Sequence, residues 1–247
     1  MHLAIVYFIV FLSSYLVGSI PFSWIVTKLK TNQDLREVGS GNVGGRNVYR
    51  ATKSKKWALL AGFLDVLRSA TAVAVPYFIS KILYFDPVYG DTLAPLTSFF
   101  PDTILSFSLA VAGVGAILGH NWPLYLFSSG GRGITVVLAS MLVANPLIIA
   151  FWIILWPIVI AIVGYSSITY IVVTALCGVI ALFLPTILLM PWAQCNLSIA
   201  VILFAIALIM LSRQKDNFRK IRTGEAKKMK IWKVLGGKKK MSDEILK

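Results

Sequence analysis

Cysteine, histidine and acidic side chains are scarce in this chain: two Cys, two His and ten Asp plus Glu in 247 residues. Each shortage excludes a class of chemistry. His2 and His120 have no cysteine or carboxylate cluster beside them, so no metal site and no cofactor is expected. Cys177 and Cys195 are separated by most of a bilayer-crossing helix, too far apart to pair. No Ser-His-Asp or Cys-His arrangement is visible, and the residue four intervening positions after His120 is Tyr125, not aspartate. Covalent catalysis through a side-chain nucleophile is therefore not expected. No inverted repeat of the kind found in transporters is present either.

What fills the chain is apolar. Hydrophobic residues make up 57% and charged residues only 14%, and the mean hydropathy is +0.79, beyond the roughly 45–50% apolar content of soluble domains. The composition predicts an all-α integral membrane protein. A helix needs about 20 apolar residues to cross some 30 Å of hydrocarbon, and 3–28, 57–80, 104–122, 168–190 and 196–212 qualify. The first run lacks a basic leader and is read as a retained span. The stretch 134–163 is long for one span and carries Asn145-Pro146, which breaks helices.

Charge placement decides the count. Of 24 Lys and Arg, 13 follow Leu211 and eight lie between Lys28 and Lys56, whereas 81–103 holds Lys81 against Asp86, Asp91 and Asp102. Both basic segments belong in the cytoplasm by the positive-inside rule, so the number of crossings must be odd. The apolar stretch then divides into 134–144 and 146–163. Seven transmembrane helices result, with the N-terminus outside, a membrane domain over 1–212 and a basic cytoplasmic tail over 213–247. Basic runs beside spans fit anionic lipid, and without aromatic platforms they do not suit nucleic acid. This topology brings the loop after the first span, the segment 119–134, the connection at 164–167 and the start of the tail to one cytoplasmic face of the cell membrane.

Those four segments hold the polar chemistry. "GSGNVGGRNVYR" (39–50) contains four glycines, two asparagines and two arginines in twelve positions. Glycine permits positive φ and close approach of N–H groups to an anion, and arginine presents a planar fork to phosphate. Ser40, Gly41, Asn42, Gly44, Arg46, Asn47 and Arg50 are the candidates there, a merely flexible loop being the other reading. "SSGGRGIT" places Gly130, Gly131 and Gly133 around Arg132 before an apolar helix, which suits an anion at a helix N-terminus or a plain cap. His120 and Asn121 end the third span. Ser167 lies in the short connection, and "QKDNFRKIRTGE" adds Gln214, Lys215 and Asn217. Within the second span, Asp65 and Arg68 stand three residues apart, and an internal ion pair is expected in preference to a ligand role.

Taken together, "YLVGSIPFSWIVTK", "REVGSGNVGGRNVYR", "FLDVLRS", "LGHNWPLYLFSSGGRGI", "SSI" and "NFRKIRTGE" resemble, in order and spacing, the bacterial acyl-phosphate:glycerol-3-phosphate acyltransferase family, the PlsY type. The resemblance implies seven spans, a cytoplasmic site, and transfer of a fatty acyl group from acyl phosphate to the 1-hydroxyl of glycerol 3-phosphate, giving lysophosphatidic acid. It assigns substrate contacts to Ser40, Arg50, Arg132 and Asn217, with the acyl tail between spans in the inner leaflet. By that resemblance the chain reads as a divergent member. Gly44-Gly45-Arg46-Asn47 stands where the family has Gly-Ala-Thr-Asn, and Arg132 replaces its lysine, with Thr135-Val136 for the following alanine-threonine. Gln214-Lys215-Asp216 replaces His-Arg-Glu, and Gly164 replaces a serine. A carrier for an anionic phosphorylated metabolite, or acylation of another polyol phosphate, is the alternative function.

Overall fold

The computed structural model describes residues 3–85, 101–127, 130–184, 196–226 and 228–229. Those residues form ten α-helices. They are α1 Leu3–Gly18, α2 Phe22–Thr31, α3 Gly45–Thr52, α4 Lys55–Phe85, α5 Pro101–Asn121, α6 Ile134–Ala144, α7 Pro146–Val163, α8 Ser166–Leu182, α9 Asn196–Ser212 and α10 Lys215–Arg222. Cys195, His2, Ser128, Ser129, the Asp86 and Asp91 loop and the tail beyond Met229 lie outside the described residues.

The bundle is helical and apolar throughout. Among the described residues, four stretches are long and apolar enough to cross a membrane: Ala4–Thr31, Lys55–Ser80, Phe107–Leu126 and Pro146–Val163. A fifth passes when α9 is taken with α10, the two being bent by 59°. α6 and α8 are shorter apolar helices. The division of 134–163 at Asn145-Pro146 is as the sequence suggests. Asn145 ends α6 in an extended conformation, and its side chain accepts a hydrogen bond from Leu147 N at 3.0 Å. Pro146 then occupies the first turn of α7, where its missing N–H costs nothing.

The expected single helix over 3–28 is instead broken. Pro21 lacks an N–H and clashes with the preceding turn, so α1 stops at Gly18 and α2 restarts at Phe22. The carbonyl of Gly18, left without a helical partner by the break, accepts from Arg68 Nη1 of α4, as does that of Ile20, which also accepts from Phe22 N. Below the break, α1 lies against α5 with almost no side-chain spacer. A Cβ on Gly119 would sit 2.3 Å from Tyr15 O, and one on Gly115 2.6 Å from Phe11 O. This is the small-xxx-small contact by which membrane helices approach closely when lipid supplies no hydrophobic drive.

The main core runs through α1, α4, α5, α6, α7, α8 and α9, with Tyr77, Ile117, Met141, Ile148, Ile202 and Met210 fully buried. A second, smaller core of Val26, Leu35, Val43, Val48, Ala61 and Leu126 lies beneath the first glycine-rich motif. It seats α3 and the 32–44 loop on α2 and α4. The motif is therefore anchored from below, and its second half is helix rather than loop.

Candidate active site

The 32–44 segment is fixed by side chains that reach back to backbone. Asn47, 1% exposed, donates through Nδ2 to Leu35 O at 2.9 Å and Val38 O at 2.8 Å, while its Oδ1 accepts from Ser40 N at 3.2 Å. Asp34 accepts from Arg36 Nε and Nη2 and from Trp24 Nε1, and Arg36 Nη1 donates to Leu126 O at 3.1 Å. The Arg36 hydrogen bonds hold the Asp34 carboxyl well below the usual carboxylate range, and burial only partly opposes them. Ser40, Gly41 and Asn42 are thus presented on a braced loop.

Four helix starts meet above this brace. A cavity of about 270 Å³ is lined by Gly44, Gly45 and Arg46 at the start of α3, and by Ile134 and Thr135 at the start of α6. Ser166 and Ser167 at the start of α8, and Gln214, which precedes α10, complete that wall. The first N–H groups of a helix have no carbonyl partner within it and carry its positive dipole end. Converging several of them makes an environment for a multiply charged anion. The buried Thr135 hydroxyl has no hydrogen-bond partner among the described residues.

Arg132 stands where this cavity meets two others. The second, about 240 Å³, has Arg132, Ser166, Ser167, Asn217 and Lys220 in its wall. The third, about 310 Å³, has Ser40, Asn42, Gly130, Arg132, Arg213 and Asn217. Half-buried Arg132 donates to no protein acceptor among the described residues. Burial lowers its pKa, and so do the like charges of Arg213, Arg46 and Arg50, with Asp216 opposing. An arginine remains charged under such pressure. A guanidinium without a protein partner, crowded by other cations, is relieved by an anionic ligand.

His120 closes the deep side of the first cavity. Arg68 Nη2 lies 2.7 Å from His120 Nδ1. A guanidinium has only donors, so Nδ1 accepts and the ring proton of neutral His120 is on Nε2. Asp65, also on the cavity wall, lies 4.0 Å from Arg68 and accepts from Ser23 Oγ at 2.5 Å. The pair is internal as expected, though its carboxylate borders the site. Gly131 returns the chain across the imidazole so closely that a Cβ there would sit 2.0 Å from Nε2. Gly131 N donates to His120 O at 3.0 Å and Gly130 N to Asn121 O at 3.3 Å. These two glycines supply space, their N–H groups being engaged by the backbone.

Of the residues singled out from sequence, the structure places Ser40, Gly41, Asn42, Gly130, Arg132 and Asn217 around one cavity. Gly44, Arg46, His120, Ser167 and Gln214 surround the one adjoining it. Arg50 lies elsewhere, over Gly39 and in a hollow between α3 and α4. Asn47 serves the framework, the carboxamide of fully buried Asn121 has no hydrogen-bond partner among the described residues, Gly133 turns the chain into α6 at φ 88°, and exposed Lys215 lines none of these cavities. Sequence reasoning passed over Arg213, Asp216, Lys220, Thr135, Ser166 and Tyr170. Asn217 and Lys220 lie three residues apart on one face of α10, while Arg213 sits in the turn where the chain bends between α9 and α10, a bend that the tail's residue types do not announce.

Comparisons with known proteins identify the family. The family model for glycerol-3-phosphate acyltransferase matches residues 8–224. The glycerol-3-phosphate acyltransferase of Staphylococcus aureus strain JH9 is 29% identical over 222 residues, 90% of this chain and 97% of the relative. That of the bovine strain RF122 / ET3-1 is 28% identical over the same share. The crystal structure of PlsY, an integral membrane glycerol 3-phosphate acyltransferase, in its glycerol 3-phosphate form superimposes with a TM-score of 0.65 at 26% identity, covering 93% of this chain and 98% of PlsY. Its lysophosphatidic acid form, at 24% identity and TM-score 0.65, shares the fold. The motif order read from the residues, the matched length and the common fold concur, and this chain belongs to the glycerol-3-phosphate acyltransferase family.

Proposed function

We propose that the protein transfers a fatty acyl group from acyl phosphate to the 1-hydroxyl of glycerol 3-phosphate, releasing lysophosphatidic acid and inorganic phosphate. The observation that carries this reading is the position of Arg132, whose unpaired guanidinium borders three adjoining cavities at once. Two anionic substrates held on either side of one cation are brought together for reaction. Arg46 and the N–H groups at the starts of α3, α6 and α8 hold the acyl phosphate. Ser40, Arg132, Arg213 and Asn217 hold the phosphate of glycerol 3-phosphate, with Arg50 adding positive field from α3.

The donor is a mixed anhydride with a good leaving group, so positioning and charge stabilisation suffice. The 1-hydroxyl oxygen attacks the acyl carbon, the bond from that carbon to the phosphate oxygen breaks, and the hydroxyl proton passes to a phosphate oxygen. No acyl-enzyme forms. Neutral His120, with its proton on Nε2, is a donor at the cavity wall, and Asp65 keeps Arg68 in register behind it.

The membrane frame proposed from charge also assigns the site a depth. Seven crossings, with the N-terminus outside and the basic tail in the cytoplasm, open the cavities to soluble glycerol 3-phosphate at the inner face of the cell membrane. α6 has 11 residues, about 16 Å at 1.5 Å per residue against roughly 30 Å of hydrocarbon. A start recessed below the inner surface places Arg132 near the level where acyl chains begin.

The test is direct. Detergent-purified protein given hexadecanoyl phosphate and glycerol 3-phosphate is expected to produce lysophosphatidic acid and phosphate in equal amounts. Uptake of a phosphorylated metabolite into vesicles without turnover would identify a carrier instead, and product from a different polyol phosphate would reassign the acceptor.

A further inference from the structure

The family match ends at residue 224, and the residues just beyond it turn back over the site. Gly224, at φ 76°, follows α10 with its N–H on Ile221 O at 3.2 Å, and Ala226 N donates to Lys220 O at 2.9 Å. The chain is thereby reversed toward the connection between α7 and α8. There Met229 N donates to Gly164 O at 2.8 Å, and Lys228 Nζ stands 5.8 Å from the centre of the Tyr165 ring. Ala226 and Met229 supply part of the wall of the 240 Å³ cavity that holds Arg132, Ser167, Asn217 and Lys220. Gly224, Ala226, Lys228 and Met229 thus belong to a strap across the site, clamped at its tip by a backbone hydrogen bond and a cation–π contact. Glu225 and Lys228 are exposed, and α10, from which the strap springs, has no buried residue. A segment held this way opens without disturbing the bundle.

We propose that this strap is a gate on the acceptor side of the active site. Closed on Gly164, it separates the compartment of Arg132 and Asn217 from solvent. Lifted, it admits glycerol 3-phosphate and releases inorganic phosphate, so each turnover includes an opening of the strap. Two features point to a gate and not to a fixed wall. The clamp lies at the tip of the segment, beside Ser166 and Ser167 at the start of α8, and the turn at Gly224 supplies a hinge at the other end. The assignment rests on the acyl-transfer reading and adds the step by which the soluble reactant reaches Arg132.

Locking the strap shut is the test. A Cβ on Gly164 would lie 3.6 Å from Lys228 Cβ, within the range a disulfide spans. Gly164→Cys combined with Lys228→Cys therefore ties the strap to the α7–α8 connection on oxidation. With hexadecanoyl phosphate as donor, kcat/KM for glycerol 3-phosphate is expected to be about tenfold or more lower in the oxidised protein than in the same protein treated with dithiothreitol, each single variant being indifferent to reductant. Oxidised and reduced forms within about twofold of each other, or an oxidised form that is faster, overturn the gate. Should the pair fail to fold because Gly164 holds φ 77°, Ser167→Cys in the full chain reports opening through its rate of modification by an anionic methanethiosulfonate. Adding Met229→Pro removes the N–H that Gly164 O accepts. Modification faster by about fivefold or more supports the gate, and equal rates overturn it. That readout needs no turnover. If wild type does not acylate glycerol 3-phosphate, the acyl-transfer reading fails while the thiol still judges the strap.

Discussion

The arginines divide according to where their N–H groups go. Arg36 donates to Asp34 and to a backbone carbonyl, and Arg68 donates to two carbonyls, Ser69 and His120. Both are framework. Arg46, Arg50 and Arg132 have no protein acceptor among the described residues, which leaves them to ligands. Replacing Arg132 by Ala is therefore expected to lower kcat/KM for glycerol 3-phosphate about a thousandfold in protein that still inserts and elutes as wild type. Arg132→Lys keeps the charge as a single point and gives up the fork that borders several cavities, so a loss of about tenfold is expected. Equal activity of the Lys variant and wild type would show that charge alone matters. Asp34 tests the brace. Its folded pKa is depressed, so it contributes stability above the unfolded value of about 4 and loses it as pH falls through the lower folded value. Asp34→Asn should thus lower the Tm by a constant amount from pH 6 to 8. The gap should narrow only below about pH 4.

At the scale of elements, glycine content does two different things, and only one is legible in the sequence. The motif at 39–50 is readable as anion chemistry from its residue types. That its second half is the helix α3 is not, because an eight-residue helix holds its place through the small core of Leu35, Val43 and Val48 beneath it and not through its own periodicity. The Asn145-Pro146 division is visible because a capping asparagine and a proline at the first turn are local signals. The break at Pro21 is equally local, but the apolar run continues through it and hides it. The reach of Arg68 across to that break depends on tertiary placement, which spacing does not encode. Gly115 and Gly119 belong to the same class: nothing in "AGVGAILGH" says which helix comes close. Gly119→Leu would drive a branched side chain into the backbone of α1 at Tyr15. Loss of the monodisperse folded species in detergent is expected, whereas Gly224→Ala, where a Cβ has open space and only the positive φ of 76° opposes it, should elute normally with a modest fall in Tm.

For the whole molecule, the membrane frame turns on the short helix α6. Counted as a crossing with α7 as its return, it makes the total odd. Left out, it would put either the eight cations between Lys28 and Lys56 or the 13 after Leu211 on the outer face, against the bias that orients membrane proteins. Ser40, Arg132 and Asn217, which come from the first loop, from the segment before α6 and from the tail helix, line a single cavity, and the proposed frame puts those three segments on one side of the bilayer. In that frame the chain between the first loop and Arg132 passes through α4 and α5, two crossings. Between Arg132 and Asn217 it passes through α6, α7, α8 and α9, and the return to the same side requires an even number there. Dropping α6 alone would make it three and pull Asn217 away from Arg132. A fluorescent protein that matures only in the cytoplasm, fused after Lys247, is accordingly expected to fluoresce in a bacterial host. Alkaline phosphatase fused within 86–100, between α4 and α5, should be active if the proposed frame holds, since that frame assigns the segment to the outer face. A dark C-terminal fusion with inactive phosphatase in the loop would invert the frame. A C-terminal fusion and a first-loop fusion reporting opposite sides would remove α6 as a crossing and separate the groups that the site needs together.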